Sequence, residues 1–320
     1  MKKRFTTAAM FLAVAAFAAQ SGSTSAAHAS PPGVRYLAPL FSVKIAKAVH
    51  YGDNIDFAHD GGVCAPGVQQ TLLMDIYLPN KTVALPHVND TDMNRPAVVW
   101  AHGGGFIVGG RSGGAPWVSE MAKRGYVAVT IDYRICEGGA ILRVDDTGHL
   151  DPAETARVAA AAADMKTAIR FLRENATTYG IDPNRIANGG SSAGAITALS
   201  TAVTTDDPFD GLDGSFDHPG YSMAVCTTIS VSGATDVDLI DGTVDHSGAI
   251  FFHGTLDTVV PLTSMQATKD KMSAEGLPTE LHTYVYGHTI NKVVAFRSDM
   301  QSWTWPWLNT YLVNAQQPCV

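Results

Sequence analysis

Gly190-Ser191-Ser192-Ala193-Gly194 is a G-x-S-x-G pattern, placed directly after the short apolar run 185–188 and opening an alanine-rich stretch. A serine hydroxyl becomes a useful nucleophile only when a neighbouring base takes its proton, and a sharp strand-to-helix turn presents such a hydroxyl at the edge of a sheet. Ser192 has glycine two residues away on both sides, whereas Ser191 would put Ala193 in the second slot. The plainer reading of the same residues is a glycine-rich helix start with a serine N-cap. A second segment argues against leaving it there. His102-Gly103-Gly104-Gly105-Phe106 follows the apolar run 97–101. Acyl transfer passes through a tetrahedral oxyanion, which needs preorganised N–H donors, and glycines let backbone amides turn toward a ligand. Gly103, Gly104 and Ala193 are therefore the candidate oxyanion donors. His102 reads as a brace for the glycine loop, and Phe106 as a candidate wall of the substrate pocket.

These paired motifs resemble the HGGG esterases of the α/β-hydrolase superfamily, a group that includes carboxylesterases and hormone-sensitive-lipase-like and feruloyl-esterase-like enzymes. The resemblance runs from about Leu72 to Leu312 and takes in two late segments. His253-Gly254-Thr255-Leu256-Asp257-Thr258-Val259-Val260-Pro261 is similar to the stretch that carries the triad acid in such enzymes. Tyr286-Gly287-His288 is similar to the position of their triad histidine. The resemblance thus implies a catalytic triad of Ser192, Asp257 and His288, in the superfamily's chain order. Two departures from the hormone-sensitive-lipase-like pattern stand out: Ser191 is found where an acidic residue is usual, and Tyr133-Arg134-Ile135-Cys136 lacks the usual Ala-Pro-Glu.

The residues themselves support the same assignments. An activated serine needs an imidazole, and the imidazole needs a carboxylate to fix its tautomer. Of 11 histidines, His288 lies just past a late apolar run with glycine before it, while His282 falls inside that run. Asp257 competes for the acid role with Asp236 and Asp238, one predicted strand earlier, and hydrolases vary in which strand carries it.

The elements that must position these groups are legible as an alternation. Apolar runs at 72–78, 97–101, 126–131, 185–188, 225–231, 249–252 and 281–286 suit strands buried on both faces. Helical stretches are expected at 153–178, 192–203, 262–274 and 291–313, the last with a break at Pro306. This order predicts an α/β fold, a mostly parallel central sheet with helices on both faces and no large cap domain. The domain organisation expected is a signal peptide over 1–29, an N-terminal arm over 30–70 and a catalytic domain over 71–320. Five aspartates between 206 and 221 raise the question of calcium, but their spacing does not follow an EF-hand. No metal and no cofactor are expected.

Composition adds context. Lys2, Lys3 and Arg4 precede an apolar run over 8–19 and an Ala27-His28-Ala29 ending, the anatomy of a secretory leader cut before Ser30. Of 22 Lys and Arg, three lie in that leader, which leaves 19 against 30 Asp and Glu, an acidic mature chain. Such a balance argues against nucleic acid as a partner. No stretch is long enough to insert in a membrane, so the expected partner is a small-molecule or polymeric ester outside the cell or in the periplasm. Cys64, Cys136, Cys226 and Cys319 allow two disulfides in three connectivities, with Cys64–Cys136 and Cys226–Cys319 as the expected pairing. The predicted activity is carboxylic ester hydrolysis through an acyl-enzyme. The alternatives are a prolyl-oligopeptidase-like secreted peptidase and a hydrolase of polyester or plant-cell-wall esters.

Overall fold

The structure, a computed structural model, describes residues 35–54, 70–82, 94–136, 145–150, 152–204, 217–240 and 247–319. The expected signal peptide and Cys64 lie outside these residues. Eight strands form one sheet: β1 (Phe41–Asn54), β2 (Gln70–Thr82), β3 (Arg95–Ala101), β4 (Val127–Ile131), β5 (Ile181–Ser191), β6 (Thr227–Val231), β7 (Gly248–Gly254) and β8 (Thr279–Tyr284). Their spatial order is β1-β2-β4-β3-β5-β6-β7-β8. β2 is antiparallel to β1 and to β4, and every pairing from β4 to β8 is parallel.

Parallel strands need crossovers, and helices supply them on both faces. These are α1 (Ala115–Arg124), α2 (Pro152–Glu174), the single turn α3 (Ala176–Tyr179), α4 (Ala193–Ala202), α5 (Leu262–Ala274) and α6 (Val294–Leu308). Alternation along each strand divides the core in two. Ala97, Val99, Ala101 and Phe251 face a layer that contains Met165, Ile169 and Leu172 of α2, Ile196 and Leu199 of α4, and Met265 and Met272 of α5. Val98, Trp100, Ile250 and Phe252 face the opposite layer, with Trp117, Val118 and Met121 of α1 and Met300, Trp305 and Leu308 of α6. Among the described residues every helix of eight or more residues belongs to one of these layers. Charge is admitted to this interior in a paired form: Arg134 and Asp164, both fully buried at the side chain, form an ion pair at 2.9 Å.

The structure differs from the sequence reading in three places. The segment read as an arm before residue 71 includes β1, the edge strand of the sheet, so the folded domain begins well before that boundary. α1 is absent from the sequence pattern; it ends on Gly125 at φ 109°, a left-handed cap whose amide returns to Ala122 O and Met121 O. The break expected at Pro306 does not occur there: the helix runs through it to Leu308. α6 carries Pro306 in its final turn, and the chain passes into a wider π turn over Asn309–Val313, whose last carbonyls, Leu312 O and Val313 O, accept from Arg185.

At the opposite end from the strands' carboxyl edge, Cys226 is bonded to Cys319, as expected. Cys136 is also disulfide-bonded, while its expected partner, Cys64, falls outside the described residues. Arg173 helps to close the same end as Cys226, donating to the carbonyls of Pro183, Ala224 and Cys319.

Candidate active site

The chain leaves β3 toward β4 on one side and returns to β5 on the other, so the loops after β3 and β5 diverge. In open α/β sheets this switch point, at the strands' carboxyl ends, is where a crevice forms. Both glycine-framed motifs sit there. β5 ends at Ser191, and Ser192 turns into α4 with φ 55° and ψ −124°. A non-glycine residue in this conformation is strained and must be held by its surroundings. The Ser192 amide donates to Val231 O at 2.8 Å, and its carbonyl receives the amides of Ala195 and Ile196, which starts the helix at once. The flanking glycines permit the close approach. A Cβ on Gly190 would lie 2.2 Å from Gly194 O, and one on Gly194 would lie 2.2 Å from Ala101 O.

Ser192 Oγ lies 2.7 Å from His288 Nε2, and His288 Nδ1 lies 2.7 Å from Asp257 Oδ2. The three side chains come from the ends of β5, β7 and β8 and form one hydrogen-bonded chain. Because the carboxylate is acceptor-only, it fixes Nδ1 as the protonated nitrogen and leaves Nε2 to accept from the serine hydroxyl. Asp257 Oδ1 receives the amides of Val259 and Val260 at 2.9 and 3.0 Å. Burial alone would raise the carboxyl's pKa. The hydrogen bond and charge of His288, with the two amides, outweigh it and hold the group below the usual carboxylate range. Asp236, the rival acid, is engaged elsewhere: it caps a short turn by accepting from the Asp238 amide and also accepts from Leu150 N. Ser191 lines the same cleft but is not part of this chain of bonds.

The loop after β3 is locked from behind. Tyr133 Oη donates to His102 O at 2.8 Å, and the two rings stack with centroids 4.4 Å apart. His102 Nδ1 is 2.8 Å from Gly103 O, and burial lowers the imidazole's pKa, which keeps it neutral. This matches a brace better than an acid or base. Gly104 takes φ +143°, and a Cβ there would lie 1.7 Å from Val108 O, so no other residue fits that turn. Gly103, Gly104 and Ala193 all line the cleft beside Ser192. Ala193 opens α4, where the first amides have no partner within the helix.

The cleft has a volume of about 680 Å³, within the usual span for a small-molecule site. Its apolar wall is Phe106, Ile107, Val108, Ile196, Val259 and Val260, and polar residues including Ser191, Ser232, Asn291 and Lys292 line the rest beside Ser192. Phe106 is part of the wall but is buried, edge-on to Tyr133, and not a free gate. The Val259-Val260 pair has no sequence signal of its own; its amides hold Asp257 and both residues line the cleft. Ser232, another cleft residue, had no motif to announce it. The stretches 137–144 and 205–216 lie outside the described residues, and with them most of the aspartates that prompted the calcium question.

Comparison with known proteins places the chain among hydrolases and esterases. The BD-FAE family model matches residues 74–250. An AB hydrolase superfamily protein of Schizosaccharomyces pombe is 30% identical over 155 residues, which cover 44% of this chain and 40% of the relative. An isoprenylcysteine alpha-carbonyl methylesterase of Arabidopsis thaliana is 24% identical over 281 residues, 77% of this chain and 56% of the relative. The chain thus spans about half the length of these curated relatives. Among solved structures, esterase 2 of Thermogutta terrifontis superposes with a TM-score of 0.60 at 22% identity, over 86% of this chain and 96% of the other, a likeness of fold. The family match covers more than half of the chain, and the sheet order and the superposition agree in fold: the chain belongs to the BD-FAE family and has the α/β-hydrolase fold.

Proposed function

We propose that this protein is a carboxylic ester hydrolase that works by two-step acyl transfer through Ser192. The observation that carries this reading is the hydrogen-bond chain Ser192–His288–Asp257 at the wall of an apolar cleft. Ser192 Oγ attacks the ester carbonyl carbon as its proton passes to His288 Nε2. The carbonyl oxygen takes up negative charge and is held by the amides of Ala193, Gly103 and Gly104. The C–O bond to the alcohol breaks, and the proton on His288 goes to the departing oxygen. Water then attacks the acyl-serine, with His288 taking its proton and returning it to Ser192 as the acid leaves. Asp257 keeps the imidazole in the required tautomer and stabilises its charged form.

The esterase names of the relatives support the ester over the amide. The apolar wall of Phe106, Ile107, Val108, Ile196, Val259 and Val260 also suits an uncharged acyl chain more than a peptide backbone, whose polar groups would need partners. Kinetics with p-nitrophenyl butyrate and with an aminoacyl-p-nitroanilide test this choice: turnover of the ester is expected to be at least a hundredfold faster, and faster cleavage of the anilide would mark a peptidase instead. An ester panel of graded chain length, with feruloyl and aromatic polyester members, would order the substrates. We also read the chain as exported. The basic start, short apolar run and Ala-His-Ala ending support this, as do disulfides, which persist in oxidising compartments. N-terminal sequencing of the secreted product should begin at Ser30.

A further inference from the structure

Three residues other than glycine line the cleft with positive φ: Phe106 at 60°, Ser192 at 55° and Ser232 at 56°. Strain of this kind persists where the surroundings impose it, and it collects at functional sites. Phe106 belongs to the glycine turn and Ser192 to the elbow. Ser232 belongs to neither.

Ser232 is the first residue beyond β6 and is 2% exposed. Its amide donates to Phe252 O at 2.8 Å, and its Oγ donates to His288 O, also at 2.8 Å. One residue earlier, Val231 O accepts the amide of Ser192 at 2.8 Å. Consecutive residues at the tip of β6 therefore grip the backbones of two residues 96 positions apart, whose side chains must meet at 2.7 Å. β6 lies between β5, which delivers the serine, and β7, which leads to the aspartate. The histidine arrives on a loop from β8, a further strand away, so its backbone has the longest lever to control. A hydroxyl at the tip of β6 ties that loop to the same strand that sets the nucleophile.

We propose that Ser232 is a positioning residue for the relay, whose hydroxyl fixes the His288 backbone and so keeps Nε2 within reach of Ser192 Oγ. It touches neither the substrate's carbonyl nor the reacting atoms. The inference rests on the reading of Ser192, His288 and Asp257 as an acyl-transfer relay. Misplacing catalytic groups without changing the cleft lowers the rate of the chemical step and leaves substrate binding alone.

The test measures kcat and KM separately on p-nitrophenyl butyrate for Ser232→Ala and Ser232→Gly, beside the wild type and Ser192→Ala. Glycine accepts the positive φ and lacks the hydroxyl, so it separates backbone strain from the hydrogen bond and remains foldable where alanine is not. The expected result for both variants, or for Ser232→Gly where the alanine variant does not fold, is a kcat at least fivefold below wild type, with KM within threefold. A smaller kcat loss in Ser232→Gly overturns the proposal, as does a change confined to KM, which would make Ser232 a substrate contact. A Ser192→Ala variant that keeps wild-type turnover would instead overturn the relay itself, so the two failures are distinguishable.

Discussion

The carboxylate of Asp257 accepts a hydrogen bond from His288 Nδ1 at 2.7 Å while its other oxygen accepts two backbone amides. The acid is thus fixed in place independently of the histidine it orients. Asp257→Asn removes the acceptor that selects the tautomer but keeps the shape. The expected result is a fall in kcat of about 10³–10⁴ with KM nearly unchanged, by analogy with the triad carboxylate elsewhere. Asp236→Asn, which alters a turn cap, one amide contact and a contact with His149, all away from Ser192 and His288, should leave kcat within about twofold of wild type. Steady-state kinetics on both variants checks the pair, and the reverse ranking would move the acid to Asp236.

The same carboxylate has a folded pKa below its ordinary value. Its contribution to stability is therefore complete above the unfolded value of about 3.9 and is lost as pH falls through the folded value. Melting temperature measured between pH 7 and pH 2 should fall on the acid side for the wild type. The fall should be shallower for Asp257→Asn, which has no carboxylate to protonate. Parallel curves would mean that the pairing contributes nothing to the fold.

Gly104→Ala forces a methyl group into the position now occupied by Val108 O and asks alanine to hold φ +143°. The loop must move, and the proposed oxyanion amides move with it. Loss of one such donor costs about 10²–10³ in kcat. The expected outcome is a loss of at least that size in a protein whose far-ultraviolet circular dichroism is unchanged, since the loop contributes no strand or helix.

The Cys226–Cys319 bond joins residues 93 apart and lies at the amino end of β6, about 16 Å along the strand from the cleft by the length of five extended residues. Cross-links of this span typically contribute about 2–4 kcal/mol. Replacing both cysteines by serine should lower the melting temperature by roughly 3–7 °C and leave kcat within twofold. A drop in kcat without a change in melting temperature would contradict the separation of scaffold from site.

The strands that lie within the sheet were legible because a strand covered on both faces is apolar at nearly every position, as β3, β4 and β7 are. β1 was not. It is an edge strand, partly exposed, and its register shifts at Phe41/Val43, Ala46/Val49 and His50/Gly52 break the two-residue period that would announce it. α1 was hidden differently. It has only ten residues and follows a glycine-rich stretch, so local composition reads as loop although Trp117, Val118, Met121 and Ala122 bury one face.

The chemistry was more legible than its support. Ser192 and the glycine loop sit in motifs whose residue types are dictated by backbone strain and close approach, and His288 follows the last strand with glycine before it, so they appear in one dimension. Ser232 acts through contacts between distant strands, and the Val259 and Val260 amides through the fold of a turn around Asp257; neither sits in a local sequence pattern that marks it.

The central claim is that Ser192 is the nucleophile, and the most direct measurement is kcat/KM for p-nitrophenyl butyrate in Ser192→Ala against the wild type, with melting temperatures measured alongside. Removing the nucleophile of such a relay costs on the order of 10⁶ in kcat, so the predicted result is a loss of at least a thousandfold in a protein that melts within about 2 °C of the wild type. Activity within tenfold of wild type in the folded variant would contradict it.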